Sequence, residues 1–416
     1  MPELSILDST IHYHDFGAGT PLVFLHGNPA SSYIWRDILP HVGHGRLLAP
    51  DLIGMGASGK PDIAYSFADH ARYLDAWFDA LELEHVVLVG HDWGGGLAFD
   101  WTARHPDRVA GIAFLEAIIK PFDWNELSPG MRERSQAVRG PQGEQLVLEQ
   151  NRFLTQAFTG GVLTPVSQED IDAYLAPYPT PESRRPILAW VRQRPIGGEP
   201  ADVVERVNAF DAWLASSSEV PKLLMTFDGE GLLIDERAID WCAEHVAALE
   251  IVPCGQAGHH APEDRPREIA AAINAWIDRQ RLRDDSIHDL PETQMSDPQP
   301  DAAQQITATV AAWPGVQTAP HHAGVQFHLG PRELGHLHGN RVADLPFPRP
   351  IRDELIAAGR AQPHHHLPDS GWITLPINQP TDVEHAIGLF RLSYELSHGL
   401  RRTAANDSKG GRPCDP

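Results

Sequence analysis

The sequence predicts an α/β fold with a mostly parallel sheet, followed by a small α+β domain. From Ile11 to about Leu282, short apolar segments alternate with amphipathic ones, which is typical of a parallel sheet covered by helices on both faces. Within this stretch, Val86–Gly95 has the pattern of an apolar strand that enters a glycine-rich turn. Near residues 283–303 the chain becomes polar and contains several prolines, as domain linkers do. These three observations together predict two domains.

Length and composition restrict the class of protein. The chain has 416 residues and a formal net charge of −23, so its length suggests two domains and its acidic excess favours neither nucleic acid nor an anionic membrane as a partner. The first residues lack the basic and apolar regions of a secretion signal, and no stretch reaches the roughly 20 apolar residues of a membrane helix. Cys242, Cys254 and Cys414 have no metal-binding spacing, which is typical of reduced thiols. We therefore expect a soluble cytoplasmic protein, either a monomer or a small homo-oligomer.

The first domain is expected to span residues 1–282. Its predicted strands are short apolar segments: Pro21–Leu25, Leu47–Ala49, Val86–Val89, Gly111–Leu115, Lys222–Thr226 and Ala248–Val252. Between about residues 121 and 218 this alternation stops, and polar side chains recur with helical spacing, as in Gly143–Phe158 and Ser167–Tyr174. We predict that this stretch forms a helical cap over the sheet.

The rest of the chain is predicted to contain a linker at 283–303, a small domain at 304–400 and a disordered tail at 401–416. The small domain mixes strand and helix patterns, which predicts an α+β fold. Its predicted elements are a helix at Ile306–Trp313, strands at Val325–Leu329 and Trp372–Ile377, and a helix at Asp382–Ser397.

The turn after the strand Val86–Val89 carries the first chemical signal. Gly90-His91-Asp92-Trp93-Gly94-Gly95 has the small-x-nucleophile-x-small arrangement of a nucleophile elbow, which presents one side chain at the top of an α/β-hydrolase sheet. Gly90 and Gly94 fit this interpretation because the sharp turn leaves no room for Cβ atoms. The nucleophile position holds Asp92 instead of serine. A carboxylate suits displacement of a leaving group from a saturated carbon, which leaves an ester on the enzyme; halides and strained epoxides are such leaving groups. The alternative is that Asp92 only caps the next helix.

Hydrolysis of such an ester requires a base that activates water and a carboxylate that orients the base. The base is expected after the last strand of the sheet, where Gly258 precedes two histidines. We favour His259, directly after the glycine, and keep His260 as the alternative.

The partner carboxylate has two candidate positions. Glu116 follows the strand Gly111–Leu115, at the carboxyl edge of the sheet where sites form. Asp228 and Glu230 follow the later strand Lys222–Thr226. We favour Glu116.

A departing halide needs neutral N–H donors that do not neutralise the nucleophile. Asn28, in the segment His26–Pro29 after the first buried strand, has a side-chain amide, and Trp93 has an indole N–H and no acceptor. Their backbone N–H groups also stand where an oxyanion hole is expected. The alternatives are a turn residue before proline for Asn28 and core packing for Trp93.

At this point the first 282 residues or so resemble the haloalkane dehalogenases, enzymes of the α/β-hydrolase fold. The matching stretches are His26–Pro29, Asp51–Ser58, Gly90–Gly95, Phe114–Ala117, Gly258–His259 and Glu263–Asp264. The resemblance implies that Asp92 is the nucleophile, that His259 and Glu116 are its base and acid, and that Asn28 and Trp93 bind the halide. It implies a small haloalkane, water and halide as partners, with no cofactor and no metal.

The resemblance also implies a cavity lined by cap and loop residues. The candidate lining residues are Phe153, Leu127, Val191 and Leu232. One departure is His260, because members of the family usually carry an aromatic or apolar residue beside the base. This histidine could alter access to the cavity or the order of water within it.

Other functions share parts of this pattern. Epoxide hydrolases also use an aspartate in this elbow, but they take the acid from the region of Asp228 and open the ring with two cap tyrosines; here Tyr174 and Tyr178 look too close together for that task. Coelenterazine-type luciferases share the triad. Fluoroacetate dehalogenases need arginines near the nucleophile to bind a carboxylate, and Trp93 occupies the position where one is usual. A non-enzymatic alternative is a scaffold that acts through the second domain.

Residues from about Gln304 to His398 resemble a small bacterial family described as luciferase-like. The matching stretches are Val325–Gly330, Glu333–Gly339 and His365–Trp372. His336 and His338 alternate along a predicted strand and would face one side, and with His365, His366 and Asp369 they could form a metal or ligand site. The alternative, which we favour, is a set of turn and edge histidines in an interaction module without a metal.

Overall fold

The computed structural model describes residues 2–43, 45–282, 302–321, 324–330, 332–338, 342–363, 371–377 and 380–407. The chain divides into two compact units, Met1–Ser286 and Ile287–Pro416. Most of the predicted linker, residues 283–301, lies outside the described residues, and a helix already begins at Ala302.

The first unit is built on one sheet. Its described strands are β1 (Glu3–Ile6), β2 (Ser9–Ala18), β3 (Pro21–Leu25), β4 (Gly45–Pro50), β5 (Val86–His91), β6 (Val109–Leu115), β7 (Lys222–Asp228) and β8 (Leu249–Gln256). The strand order is β1-β2-β4-β3-β5-β6-β7-β8, antiparallel through β1, β2 and β4 and parallel from β4 to β8. The predicted mostly parallel sheet is confirmed, and all six predicted strands belong to it.

Helices accompany this sheet. Those described are α1 (Phe67–Ala80), α2 (Trp93–Arg104), α3 (Pro129–Arg139), α4 (Arg152–Gly160), α5 (Gln168–Leu175), α6 (Arg185–Arg192), α7 (Ala201–Ser216), α8 (Glu236–His245), α9 (Ala261–Asp264) and α10 (Pro266–Gln280). The segment between β6 and β7 contains α3 to α7, in the stretch where the sequence predicts a cap. None of the helices in the described part of the chain is long and apolar enough to cross a membrane.

The stretch with helical spacing at Gly143–Phe158 is helical in two parts. It contains a π-helical turn at Gln145–Glu149 and then α4. Asn151 separates them with a φ of 51°, in the left-handed region that interrupts a right-handed helix. Ser167 ends the next connection by accepting a hydrogen bond from the Asp170 N–H, which caps α5.

The centre of the sheet is apolar. Every residue of β5 is buried, and Val23, Phe24 and Leu25 of β3 are fully enclosed. This burial on both faces explains why the strands read as continuous apolar segments. Because β3, β5, β6 and β7 run parallel, their carboxyl ends lie at the same edge of the sheet.

The second unit has its own antiparallel sheet and core. Its described strands are β9 (Val316–His321), β10 (Gly324–Leu329), β11 (Arg332–His338), β12 (Val342–Pro346), β13 (Gln362–Pro363) and β14 (Trp372–Pro376). They follow the order β13-β14-β12-β11-β10-β9, and the described helices are α11 (Ala302–Ala311), α12 (Arg349–Ala357) and α13 (Pro380–Asp407). The predicted α+β class is confirmed. The tail predicted from residue 401 begins inside α13, while residues 408–416 lie outside the described part.

Candidate active site

The turn between β5 and α2 is sharp and strained. Asp92 adopts φ 51° and ψ −121°, which is unfavourable for a residue with a Cβ atom. A Cβ atom at Gly90 would overlap the backbone of Gly95, and one at Gly94 would overlap the carbonyl of Leu25. The predicted reason for these two glycines is therefore confirmed. The side chain of Asp92 makes no capping hydrogen bond to α2, so helix capping does not account for this aspartate.

The carboxylate of Asp92 has two different oxygens. Oδ2 accepts a hydrogen bond of 2.9 Å from the backbone N–H of Asn28. Oδ1 lies 3.9 Å from Nε2 of His259. Asp92 itself is 7% exposed, so it lies in a nearly closed site. Oδ2 is thus held by the loop that follows β3, and Oδ1 faces His259.

Glu116 orients His259 from the end of β6. Its Oε2 lies 3.1 Å from His259 Nδ1, and the same carboxylate accepts backbone hydrogen bonds from Leu233 at 2.7 Å and Ile234 at 3.1 Å. Glu116 is 1% exposed and has a φ of 45°. The structure thus brings Asp92, His259 and Glu116 together.

The alternative residues for the base and the acid lie elsewhere. His260 is buried and stacks on Phe158 with ring centroids 4.7 Å apart, while its backbone N–H donates to Gly161 O. Asp228 and Glu230 are exposed. Since Nδ1 of His259 faces Glu116, neither exposed carboxylate is needed to orient it.

The two predicted halide donors flank Asp92. The indole of Trp93 is 3% exposed and lies between Phe67 and Trp190, with ring centroids 5.7 and 5.8 Å away. Its indole N–H makes no hydrogen bond to the described residues. Asn28 Nδ2 donates to Ile187 O at 3.1 Å, which leaves one amide hydrogen for another acceptor.

The four predicted cavity residues lie on different segments around the site. Leu127 is buried before α3, whereas Phe153 in α4, Val191 in α6 and Leu232 after β7 are partly buried and pack against the core of the unit. Leu232 immediately precedes Leu233, which donates to Glu116. That these side chains line one common cavity stays a prediction.

Two further histidines, His91 and His260, lie beside the candidate base His259. His91 Nε2 donates to the carbonyl of His259 at 2.8 Å, and His91 and His260 each have an enclosed Nδ1 without a partner among the residues that the structure describes. Burial lowers the pKa of His91 to about 3 and lowers that of His260 strongly, so both imidazoles are neutral. Their ligand atoms and one of His259 lie within 4.8 Å of one another, as a metal would require. His259 is already held by Glu116, so we assign these residues to the support of the base.

The loop that carries His259 is fastened to the α4–α5 connection. The carboxylate of Asp264 accepts hydrogen bonds from Gly258 at 2.9 Å, Leu163 at 3.0 Å and Thr164 at 2.7 Å. Two segments that are distant in sequence therefore share one acceptor beside the base.

Glu263 makes a second set of contacts between distant segments. Arg36 binds both of its oxygens, at 2.6 and 2.8 Å, and the hydroxyl of Tyr174 in α5 also donates to it. The Glu263 side chain is 4% exposed and that of Arg36 is 12% exposed, so this ion pair is largely enclosed. It joins the turn after β3 to α9, and the Tyr174 hydroxyl adds α5, a helix of the segment between β6 and β7.

Sequence reasoning missed Arg194, two residues after α6. Its Nε and Nη2 are enclosed and have no hydrogen-bond partner among the described residues. Its guanidinium lies 4.8 Å from the centroid of the Phe122 ring. In the run Arg192-Gln193-Arg194 nothing distinguishes this arginine from an exposed one, so no sequence signal could have found it.

In the second unit, His336 lies on β11 within a polar cluster. Its Nδ1 is 2.6 Å from Glu333 Oε1, and its Nε2 is 3.7 Å from the fully buried Asp344. The side chain of His338 and residues His365, His366 and Asp369 lie outside the described residues. The suggested metal site is thus untested.

Comparisons with known proteins agree with the division into two units. Residues 20–140 match the family model described as alpha/beta hydrolase fold. Residues 331–393 match the model described as luciferase domain, which confirms the resemblance noted for the second domain.

The relatives given below match the first unit and are described as haloalkane dehalogenases. A haloalkane dehalogenase of Agrobacterium fabrum is 45% identical over 271 residues, which cover 65% of this chain and 88% of the relative. One of Mesorhizobium japonicum is 47% identical over 281 residues, covering 66% and 90%. The crystal structure of the haloalkane dehalogenase DatA from Agrobacterium tumefaciens C58 is 43% identical, with a TM-score of 0.64 over 67% of this chain and 96% of that one. Since relatives of this identity are matched over nearly their whole length, the chain belongs to the haloalkane dehalogenase family.

Proposed function

We propose that the protein hydrolyses carbon–halogen bonds of small haloalkanes, giving an alcohol and a halide through an ester on Asp92. The observation that carries the proposal is the asymmetry of this carboxylate. Oδ2 is tied to the Asn28 N–H, and Oδ1 lies 3.9 Å from His259 Nε2. Oδ1 is therefore the oxygen available for attack on carbon.

In the first step, Oδ1 of Asp92 displaces the halide with inversion at carbon. The indole N–H of Trp93 and the remaining amide hydrogen of Asn28 stabilise the departing anion without pairing with the nucleophile. The products of this step are an alkyl ester of Asp92 and a bound halide.

In the second step, His259 Nε2 removes a proton from water, which attacks the carbonyl carbon of the ester. Glu116, on the Nδ1 side, fixes the imidazole and stabilises the imidazolium. The N–H of Asn28 on Oδ2 supports the oxyanion of the tetrahedral intermediate. As the intermediate collapses, the bond from Cγ to the alkoxy oxygen breaks, the leaving alkoxide takes the proton from the His259 imidazolium, and the carboxyl group loses its remaining proton to solvent, which restores the carboxylate.

The cap tyrosines do not favour epoxide hydrolysis. The Tyr174 hydroxyl donates to Glu263. The Tyr178 hydroxyl donates to Met55 Sδ at 3.7 Å and accepts from the Gly56 N–H at 3.1 Å. Both side chains are buried. Neither hydroxyl is free to bind an epoxide oxygen.

The deciding experiment is halide release by the full chain. We expect bromide from 1-bromobutane and 1,2-dibromoethane, no diol from styrene oxide, and loss of bromide release in Asp92→Asn. Asp228→Asn, an exposed carboxylate, is the matched control and should keep wild-type activity. Diol formation without bromide would instead make the protein an epoxide hydrolase.

A variant of the base should separate the two steps. In His259→Gln, 1-bromobutane should add one butyl group to Asp92, because the ester forms and is not hydrolysed. Intact-mass and peptide-mass spectrometry measure the adduct. A variant that neither releases bromide nor gains mass would refute the ester mechanism.

We place the protein in the cytoplasm, as a monomer or small homo-oligomer, and we assign the luciferase-like unit an interaction role. The composition supports the cytoplasmic location. The separate core of the luciferase-like unit supports its interaction role. Size-exclusion chromatography with light scattering tests the oligomeric state.

A further inference from the structure

We propose that Arg194 binds an anionic group of the substrate, so that halogenated carboxylates are a substrate class of this enzyme. The inference rests on the proposed dehalogenase function and concerns the part of the substrate away from the halogen. It starts from the enclosed N–H donors of this arginine, which have no acceptor among the described residues.

Arg194 is partly buried, yet two of its guanidinium nitrogens, Nε and Nη2, are enclosed without an acceptor among the described residues, which is unusual. Charged side chains are almost never buried unless they are paired, and unsatisfied buried donors in native proteins call for an unseen partner. The partly buried Arg36, by contrast, has Glu263 on both of its terminal nitrogens. For the side chain of Arg194, the contact given within the described part of the chain is the face of the Phe122 ring at 4.8 Å.

The segments that hold Arg194 also surround the candidate site. Just before it, α6 contributes Ile187 O to the amide of Asn28 and the Trp190 ring beside Trp93. Just after it, Pro195 O accepts from the N–H of Phe122, six residues beyond Glu116. Arg194 is thus fixed between the halide donors and the segment that follows the acid.

The groups around Arg194 leave it positively charged. Burial lowers the pKa of Arg194 to about 10, the carboxylates of Asp92 and Glu116 oppose this shift, and Arg139 and Arg134 add to it. The side chain therefore stays cationic at neutral pH. Its surroundings contain further cations, since Arg139 of α3 donates to Arg194 O.

A carboxylate is the chemistry that these donors fit best. The guanidinium is planar and presents N–H pairs that bind both oxygens of a carboxylate. An ω-haloalkanoate has a carbon–halogen bond at one end for Asp92 and a carboxylate at the other end for Arg194. A neutral haloalkane leaves the guanidinium unpaired.

The test compares matched bromides in wild type and Arg194→Leu. The substrates are ω-bromoalkanoates of four to eight carbons, their methyl esters, and 1-bromobutane, with bromide release as the readout. For the best acid in the series, the variant should lose about 10- to 100-fold in kcat/KM, mostly through KM, because a charge-assisted hydrogen bond is removed. The esters and 1-bromobutane should change by less than about threefold.

Arg134→Leu is the matched control, because it removes a neighbouring cation that is exposed on α3. It should leave the ratio of acid to ester unchanged. An equal loss on acids, esters and 1-bromobutane in Arg194→Leu would overturn the proposal and assign Arg194 to the field around Asp92. Wild type that hydrolyses 1-bromobutane but none of the acids would also overturn it, while inactivity on every bromide would instead refute the dehalogenase function.

A binding measurement is independent of turnover. Butanoate and hexanoate should inhibit 1-bromobutane hydrolysis competitively in the wild type, and the corresponding alcohols should not. In Arg194→Leu the inhibition constants for the two acids should rise about 10-fold or more. Inhibition by the acids that is unchanged in the variant would contradict carboxylate binding at Arg194.

Discussion

Glu116 accepts two backbone hydrogen bonds, from Leu233 and Ile234, in addition to facing His259. Each of these three partners donates a hydrogen bond, so both carboxylate oxygens of Glu116 act as acceptors. Its function as an orienting group therefore depends on two acceptor oxygens and on a negative charge opposite the imidazole.

We expect Glu116→Gln to slow hydrolysis of the ester by about 10²- to 10⁴-fold, because the amide has one acceptor oxygen and no charge. Single-turnover bromide release should change less than the steady-state rate, since attack by Asp92 precedes the step that needs His259. Glu230→Gln is the control on the competing carboxylate position. A larger loss in that control than in Glu116→Gln would assign the acid to the later strand.

At the residue scale, the sequence predicted the groups that belong to short motifs. Asp92 lies in a strand–turn–glycine pattern that few other structures require, and His259 and Glu116 follow predicted strands of the same sheet. Arg194 had no such pattern, because its burial depends on how α6 and the Phe122 segment pack. The local spacing of residues does not predict that packing.

At the scale of elements, the largely enclosed Arg36–Glu263 pair links the turn after β3 to α9, and the Tyr174 hydroxyl ties α5 to the same carboxylate. Arg36→Met should destabilise the protein by about 3–5 kcal/mol, since it leaves the enclosed carboxylate of Glu263 without its cation, with the Tyr174 hydroxyl still donating to it. Adding Glu263→Gln should recover part of this loss. Thermal unfolding of the wild type, both single variants and the double variant measures the coupling, and additive losses would show that the two residues act independently.

The sequence predicted the central strands of the sheet well and its edge strand poorly. Apolar segments such as Val86–Val89 are buried on both faces, so composition alone marks them. The edge strand β1 (Glu3–Ile6) has mostly exposed or half-buried residues and gave no such signal. The break at Asn151 was missed for a related reason, since helical spacing continues on both sides of it.

For the whole molecule, buried neutral histidines predict acid sensitivity. His26, His70, His91 and His260 are all buried, and desolvation lowers the pKa of each below its usual 6.5. The unfolded chain then binds protons near pH 6.5 that the folded chain does not bind. Stability from these groups is complete above pH 6.5 and falls as the pH drops toward their folded pKa values, by up to about 1.4 kcal/mol per pH unit for each histidine.

The melting temperature should therefore fall between pH 7.5 and pH 5.5. His260→Phe, which keeps an aromatic ring against Phe158, should make this fall smaller and raise stability more at pH 5.5 than at pH 7.5. A melting temperature that stays constant across this range would show that the buried imidazoles are protonated in the folded state.

The close approach of Gly27 to the nucleophile has a consequence for the interpretation of natural variants. A Cβ atom at Gly27 would overlap Oδ2, Cβ and Cγ of Asp92. Alanine here should abolish bromide release while leaving every proposed reacting group in place. Substitution tables score glycine to alanine as mild, so a screen of environmental genes that checks only the reacting residues would count such a dead enzyme as active.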